Sequence, residues 1–460
     1  MVFGPGAGSI SQCIPVTGNN PMMVTALLRS TPAGLATLSV RCLGEDGRLL
    51  MTIRSPEDIQ PGKEPDSLED YFRPHPLTSS VDLVISKEAT AGVMTLARAE
   101  LDVYHDDDPA LRSSQNDAEL MRSFWKGSKV SGEAVLLTSR IAEPATGTLM
   151  FAPVRILSVT SYDGSVQYRQ GTDFTLEGRT LVATADSRMS RISASDLLQG
   201  DLAWNEIGGK QVLVTYEHDD AWTGPTQPYV GAELPKTLRI LRARQPLRIV
   251  AYGDSITFGV GSSHMQKIPP YQQPWIDLFA EQLRKTWNNP GIALFNASQS
   301  GADSNWAGKM AARMVGTLNP DLVLIAFGQN DFWSLSADAF AGNLSAVMRA
   351  VKHTNPDAEF LLLATMRFDP AYSSNRTYWD RVTEYEDRLR AMTGQGVQLV
   401  DMTAISGAVF AAKAPRDCLN DPLHPNDYLS RWYAQSVLAA LTPDAEEPEV
   451  RARGAGSAPR

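Results

Sequence analysis

Two hydrophobic rhythms divide the chain near Pro246. Before it, apolar residues come in short runs such as Ala36-Thr37-Leu38-Ser39-Val40 and Val81-Asp82-Leu83-Val84-Ile85, set off by Gly, Pro and Asp. Short apolar runs between turn-forming residues predict β-strands. After a polar interval the same punctuation returns at residues 154–159, at 174–176 and 180–182 around Glu177-Gly178, and at 212–216. Those runs predict antiparallel hairpins. The expectation is a β-sandwich region, jelly-roll-like, over residues 1–235, with room for two modules at about 20–110 and 145–220.

Past Pro246 the rhythm changes to strands alternating with helices. Residues 247–252, 293–295, 322–326, 360–363 and 397–400 read as strands, and residues 274–287 as a helix with Ile276, Phe279, Ala280 and Leu283 on one face. Further helices are predicted at about 337–352, 378–392 and 427–441. Near-continuous apolar strands separated by helices imply a parallel sheet covered on both faces, over residues 236–442. Residues 443–460, rich in Pro, Gly, Ala and charge, read as a disordered tail.

Composition narrows the function classes. The chain has 460 residues, 43% hydrophobic and 20% charged, which is globular composition at a length that favours more than one domain. Its net charge of -10 argues against nucleic acid as the main partner, because phosphate binding needs clustered Lys and Arg. Cys13, Cys42 and Cys418 are too scattered for a disulfide framework or a zinc site. No basic and apolar leader opens the chain and no stretch is long and apolar enough to span a membrane. A cytoplasmic location is the expectation for the sequence as it stands, or a secreted or periplasmic one if a leader has been removed.

The first strand after Pro246 runs directly into Gly253-Asp254-Ser255-Ile256, at the carboxyl end of a parallel strand, where ligands collect in open α/β sheets. A serine hydroxyl needs a base, an orienter for that base and donors for the developing oxyanion. Later segments offer all three. Gly301, in Asn296-Ala297-Ser298-Gln299-Ser300-Gly301, can present its N–H unobstructed. Asn330, in Gly328-Gln329-Asn330-Asp331, can donate from its amide. Asp421-Pro422-Leu423-His424-Pro425-Asn426 supplies a base, His424, and a carboxylate, Asp421, to hold its tautomer.

These four segments, in this order over Leu247 to Leu441, resemble the blocks of the SGNH, or GDSL, hydrolase superfamily. The resemblance implies a flavodoxin-like three-layer α/β/α domain that needs no cofactor and no metal. It also implies Ser255 as nucleophile, His424 as general base and acid, Asp421 as its orienter, and an oxyanion hole built from the Ser255 N–H, the Gly301 N–H and the Asn330 side chain. Family members are esterases, lipases, thioesterases and carbohydrate deacetylases. A β-rich region ahead of such a domain, with Tyr168 to Phe174 and Trp222-Thr223-Gly224-Pro225, resembles multidomain bacterial carbohydrate acetylesterases. The expected partner is therefore a small-molecule or oligosaccharide ester, with no nucleic acid and no membrane insertion. The alternatives are a lipase or acyl-thioesterase and a non-catalytic carbohydrate-binding protein.

Other candidates have blander readings. Trp306, Phe332 and Trp333 flank two of the blocks and could form a substrate-binding wall, although aromatics at strand ends are at least as often core. Asp102-Val103-Tyr104-His105 repeats the Asp-x-x-His spacing but lies in the β-rich half, ahead of the serine. Asp106, Asp107 and Asp108 read as a solvated acidic loop in preference to a calcium site. His264 could sit at a pocket entrance and His353 at a helix end, and both are read as structural.

Overall fold

The computed structural model describes residues 121–140, 143–193, 206–266, 268–370 and 375–443 in continuous runs; ahead of these it describes 2–3, 8–16, 22–31, 36–47, 49–54, 66–72, 74, 78–87 and 93–103. His105, the acidic run Asp106 to Asp108 and residues 444–460 of the expected tail lie outside the described residues.

Among the described residues the first body is a sandwich of eight strands. Strands β1 (Val2–Phe3), β8 (Val93–Val103), β3 (Met22–Thr31) and β6 (Asp66–Phe72) form one antiparallel sheet in that order. The other consists of β2 (Gly8–Pro15), β7 (Ser80–Lys87), β4 (Ala36–Leu43) and β5 (Leu49–Arg54). This interleaving of early and late strands across two four-stranded sheets is a jelly roll. Alternate positions of β3 (Met22, Val24, Ala26, Leu28) and of β4 (Ala36, Leu38, Val40, Cys42) are fully buried, as the pleat requires of two sheets packed face to face.

The second body is smaller. Strands β9 (Lys129–Val135), β12 (Pro153–Ser161) and β16 (Val212–His218) make a three-stranded antiparallel sheet with β16 in the centre. A five-stranded sheet follows the order β13 (Phe174–Glu177), β14 (Thr180–Ala183), β11 (Thr146–Thr148), β10 (Thr138–Ser139), β15 (Ile192–Ser193). The β13–β14 hairpin turns at Glu177-Gly178 as the sequence predicts, with Gly178 at φ 60°. Two features differ from expectation. β10 and β15 pair in parallel, and β9 forms within the interval read as polar, because Glu133 on it is buried with internal partners.

The third body is a five-stranded, all-parallel sheet in the order β18 (Ile292–Asn296), β17 (Leu247–Gly253), β19 (Leu322–Ala326), β20 (Glu359–Ala364), β21 (Val397–Asp401). That 2-1-3-4-5 sequence of strands is the flavodoxin-like order, with its switch point beside the first strand. The inner strands β19 and β20 are buried at every residue, which accounts for their continuous apolar runs.

Alternate residues of this sheet enter two different cores. Leu247, Ile249, Ala251, Leu322, Leu324 and Leu361 face helices Trp275–Trp287, Met402–Ala412 and Asp427–Leu441, and this core continues into the second body through Val135, Val212 and Tyr216. Val250, Tyr252, Val323, Ile325, Phe360 and Leu362 face helices Ser304–Met314, Ala337–Thr354 and Arg376–Ala391, and this core continues into the jelly roll. The hydrolytic blocks thus sit in a three-layer domain flanked on each side by β structure. Among the described residues no helix is long and apolar enough to cross a membrane.

Candidate active site

Ser255 begins the short helix Ser255–Phe258 directly after β17, and the Asp254 side chain caps it by accepting the Ile256 N–H at 3.0 Å. The turn requires Gly253, where a Cβ would lie 2.5 Å from the Ala326 carbonyl oxygen and 2.5 Å from Thr257 Oγ1. The neighbouring segments are brought in by sheet register. Gly253 pairs with Ala326 at the end of β19, and the Gln299 N–H donates to the Gly253 carbonyl at 3.0 Å. The blocks that follow β18 and β19 therefore flank the serine.

His424 Nε2 lies 2.7 Å from Ser255 Oγ, and His424 Nδ1 lies 2.7 Å from Asp421 Oδ2. The second oxygen of Asp421 accepts the N–H groups of Leu423 (2.8 Å) and His424 (3.0 Å), which locks the carboxylate and the imidazole into one turn. With the Nδ1 proton directed at Asp421, Nε2 is left to accept from the serine hydroxyl. Ser255 and Asp421 are each only 5% exposed.

On the other flank, Gly301 has φ 73°, a left-handed conformation that favours glycine, and is solvent-exposed. Asn330 donates from Nδ2 to the Ala302 carbonyl at 2.9 Å, which fixes its amide plane and leaves the second Nδ2 hydrogen for another acceptor. Asp331 ties the two segments together by accepting the Ser304 N–H at 2.9 Å.

The electrostatics below the serine are unusual. Burial pushes the Asp254 carboxyl up to about 7, with repulsion from Asp331 adding to it and the Ile256 N–H and His424 opposing. Burial likewise pushes Asp331 up to about 6, against the pull of its bonds to Ser304. Two carboxyls that resist ionisation thus underlie the site.

The structure places Ser255, Asp421 and His424 in one hydrogen-bonded chain, with Gly301 and Asn330 on the neighbouring strand ends. The aromatic wall is corrected in part. Phe332 is fully buried and stacks on Phe368 with ring centroids 4.7 Å apart, so it is core. Trp306 is half-buried against Tyr252, whereas Trp333 is 36% exposed, edge-on to Tyr378. His264 is buried, its N–H donating to the Gln272 carbonyl, and His353 is exposed in the last turn of its helix. Sequence reasoning missed Gln329, whose Nε2 donates to the Leu423 carbonyl at 3.2 Å while Thr365 holds its Oε1 at 2.8 Å. Its place beside Asn330 was the only available signal.

Residues 251–431 match the sequence profile of the GDSL-like lipase/acylhydrolase family. With its parallel sheet and covering helices, this part of the chain is a GDSL-type (SGNH) hydrolase domain, and the chain is a serine ester hydrolase. No curated protein sequence matches the chain. Many solved structures are similar to it, among them the following three. A GDSL-like lipase from Parabacteroides merdae is 18% identical over 43% of this chain and 95% of its own, with a TM-score of 0.38. A two-domain esterase active on acetylated mannans is 22% identical over 49% of this chain and 57% of its own, also at 0.38. An acetyl xylan esterase is 19% identical over 43% of this chain and all of its own, at 0.35.

Proposed function

We propose that the chain hydrolyses carboxylic esters through an acyl-enzyme on Ser255, and that its substrates are O-acetylated carbohydrates. The observation that carries the mechanism is the chain Asp421–His424–Ser255, with 2.7 Å at each side-chain link. Ser255 Oγ attacks the ester carbonyl as its proton passes to His424 Nε2. The resulting oxyanion is held by the N–H groups of Ser255 and Gly301 and by Asn330. His424 then gives the proton to the leaving alcohol, and the acyl group remains on Ser255. Water attacks the acyl carbonyl, gives a proton to His424, and the serine leaves with that proton as the carboxylic acid is released.

The acetylated-sugar reading draws on one exposed aromatic residue. Trp333, three residues beyond Asn330, offers the flat face on which a sugar ring can stack.

The test is acetate release from acetylated xylo- and manno-oligosaccharides, with long-chain nitrophenyl esters in the same panel, comparing wild type with Ser255→Ala. Release from sugars that disappears in the variant is expected. Turnover confined to long acyl chains would shift the substrate to lipids or thioesters, and full activity in Ser255→Ala would overturn the mechanism.

A further inference from the structure

Asp421 and His424 stand on a loop, residues 415–426, that opens with a single 3-10 turn and runs into the last helix. The loop closes on itself through the Leu419–Pro425 bridge and the Asn420 N–H donating to the His424 carbonyl at 2.9 Å. Its tip is held from the hydrolase side, by Gln329 on the Leu423 carbonyl and by the Asp369 N–H on the Pro422 carbonyl at 3.1 Å. Its base is held by something else.

That grip is Gln211, which lies in the second β body immediately before β16 and is fully buried. Nε2 donates to the carbonyls of Arg416 (2.6 Å) and Leu419 (2.8 Å) on the incoming arm, and Oε1 accepts Asn426 Nδ2 (3.0 Å) on the outgoing arm. A primary amide has two N–H donors and one carbonyl acceptor, and here every one is spent across the two arms of one loop. The same body contributes two more contacts. The Leu136 N–H donates to Asp417 Oδ1 at 2.7 Å, and at Gly208 a Cβ would fall 1.7 Å from Asn420 Oδ1.

We infer that Gln211 is a positioning residue for the hydrolytic reaction, setting the loop that carries Asp421 and His424 against Ser255. The inference rests on the triad reading proposed above. It makes the second β body a working part of the active site, because the clamp on the triad loop comes from a sequence segment that precedes the hydrolase domain. Residues that touch no substrate act in this way because a misplacement of about 1 Å in the reacting groups can cost on the order of 100-fold in rate.

The experiment uses the full chain and a short nitrophenyl ester. Gln211→Met keeps the length of the side chain and removes all three hydrogen bonds. Leu181→Ala, at a buried position of the same body, removes packing and none of the hydrogen bonds that hold the loop. For each variant, kcat and KM are measured per active site titrated with diisopropyl fluorophosphate, together with Tm and the rate of phosphorylation itself. Gln211→Met is expected to lower kcat about 10- to 100-fold and slow phosphorylation in parallel, with KM nearly unchanged. Leu181→Ala is expected to lower Tm and keep kcat. Wild-type kcat per site in Gln211→Met, or an equal kcat loss in Leu181→Ala at matched Tm, would overturn the inference.

Should Gln211→Met fail to fold, Gly208→Ala reads the same coupling by pressing a carbon onto Asn420. Its kcat is expected to fall, and an unchanged kcat would overturn the clamp. Activity surviving in Ser255→Ala would remove the triad reading itself, whereas a serine-dependent enzyme indifferent to both Gln211→Met and Gly208→Ala would remove only the clamp.

Discussion

Replacing Lys413 by Met should be among the most destabilising single changes in the protein. Lys413 is fully buried; its ammonium donates to Glu133 and to the Ala134 carbonyl at 2.8 Å and lies 3.7 Å from Asp417. Burial alone would depress its pKa, but the pull of Glu133 and Asp417 carries it above its ordinary value. Methionine fills nearly the same volume, so no cavity enters the comparison. What is lost is the cation. At an effective dielectric constant of about 20, two unit charges about 4 Å apart attract by about 4 kcal/mol. Removing one partner of a buried pair costs about 3–5 kcal/mol by direct measurement elsewhere. Glu133 keeps the Met150 N–H at 2.7 Å and the Tyr216 hydroxyl at 2.6 Å, which places the expectation inside that range. The exposed pair Lys285–Glu281 is the control, for which Lys285→Met should cost about 0–1 kcal/mol. Urea unfolding followed by fluorescence gives both values, with the double variant Lys413→Met/Glu133→Gln expected to recover part of the loss. A cost below about 1 kcal/mol for Lys413→Met at unchanged slope would refute the reasoning, since total stability is only about 5–15 kcal/mol.

Two further outcomes follow from the site. Asn330→Ala should lower kcat about 10²- to 10³-fold, measured with a short nitrophenyl ester; a loss in KM alone would take Asn330 out of the oxyanion hole. Asp254 is held protonated by burial up to about 7 in the folded chain and titrates at 3.8 when ordinary. The folded state therefore binds the extra proton between those values, and this contribution to stability is whole below pH 3.8 and is lost as pH rises to about 7. Thermal melts between pH 5 and 8 should show Asp254→Asn losing less Tm with rising pH than wild type; an identical slope in the two proteins would refute it.

The parts legible in the sequence were those whose cause is local. β19 and β20 show themselves because strands buried on both faces must be apolar throughout, and the serine and histidine segments because the chemistry needs those residue types at strand ends. Helix Met402–Ala412 escaped because it is apolar on nearly every side and buried at Met402, Ile405 and Val409, so no 3.6-residue contrast betrays it. Phe332 could not be told from a wall residue because an aromatic at a strand end has the same neighbours in sequence whether it points inward or outward. Glu133 lies in the interval read as polar, and Gln211 stands just ahead of a predicted strand with nothing to mark it. The cation that pairs with Glu133 lies 280 positions away and the partners of Gln211 205 to 215, beyond any local pattern.

The separation between Glu133 and Lys413 also has a meaning in time. The chain is made from its N-terminus at about 5–20 residues per second, so β9 leaves the ribosome on the order of tens of seconds before the lysine that neutralises it. During that interval Glu133 has no cation to accompany it into a dry interior, and the faces of Val135, Val212 and Tyr216 have no helices against which to close. The second β body is therefore expected to complete its core only after the hydrolase domain has been made, and the order of synthesis becomes part of how the two are joined.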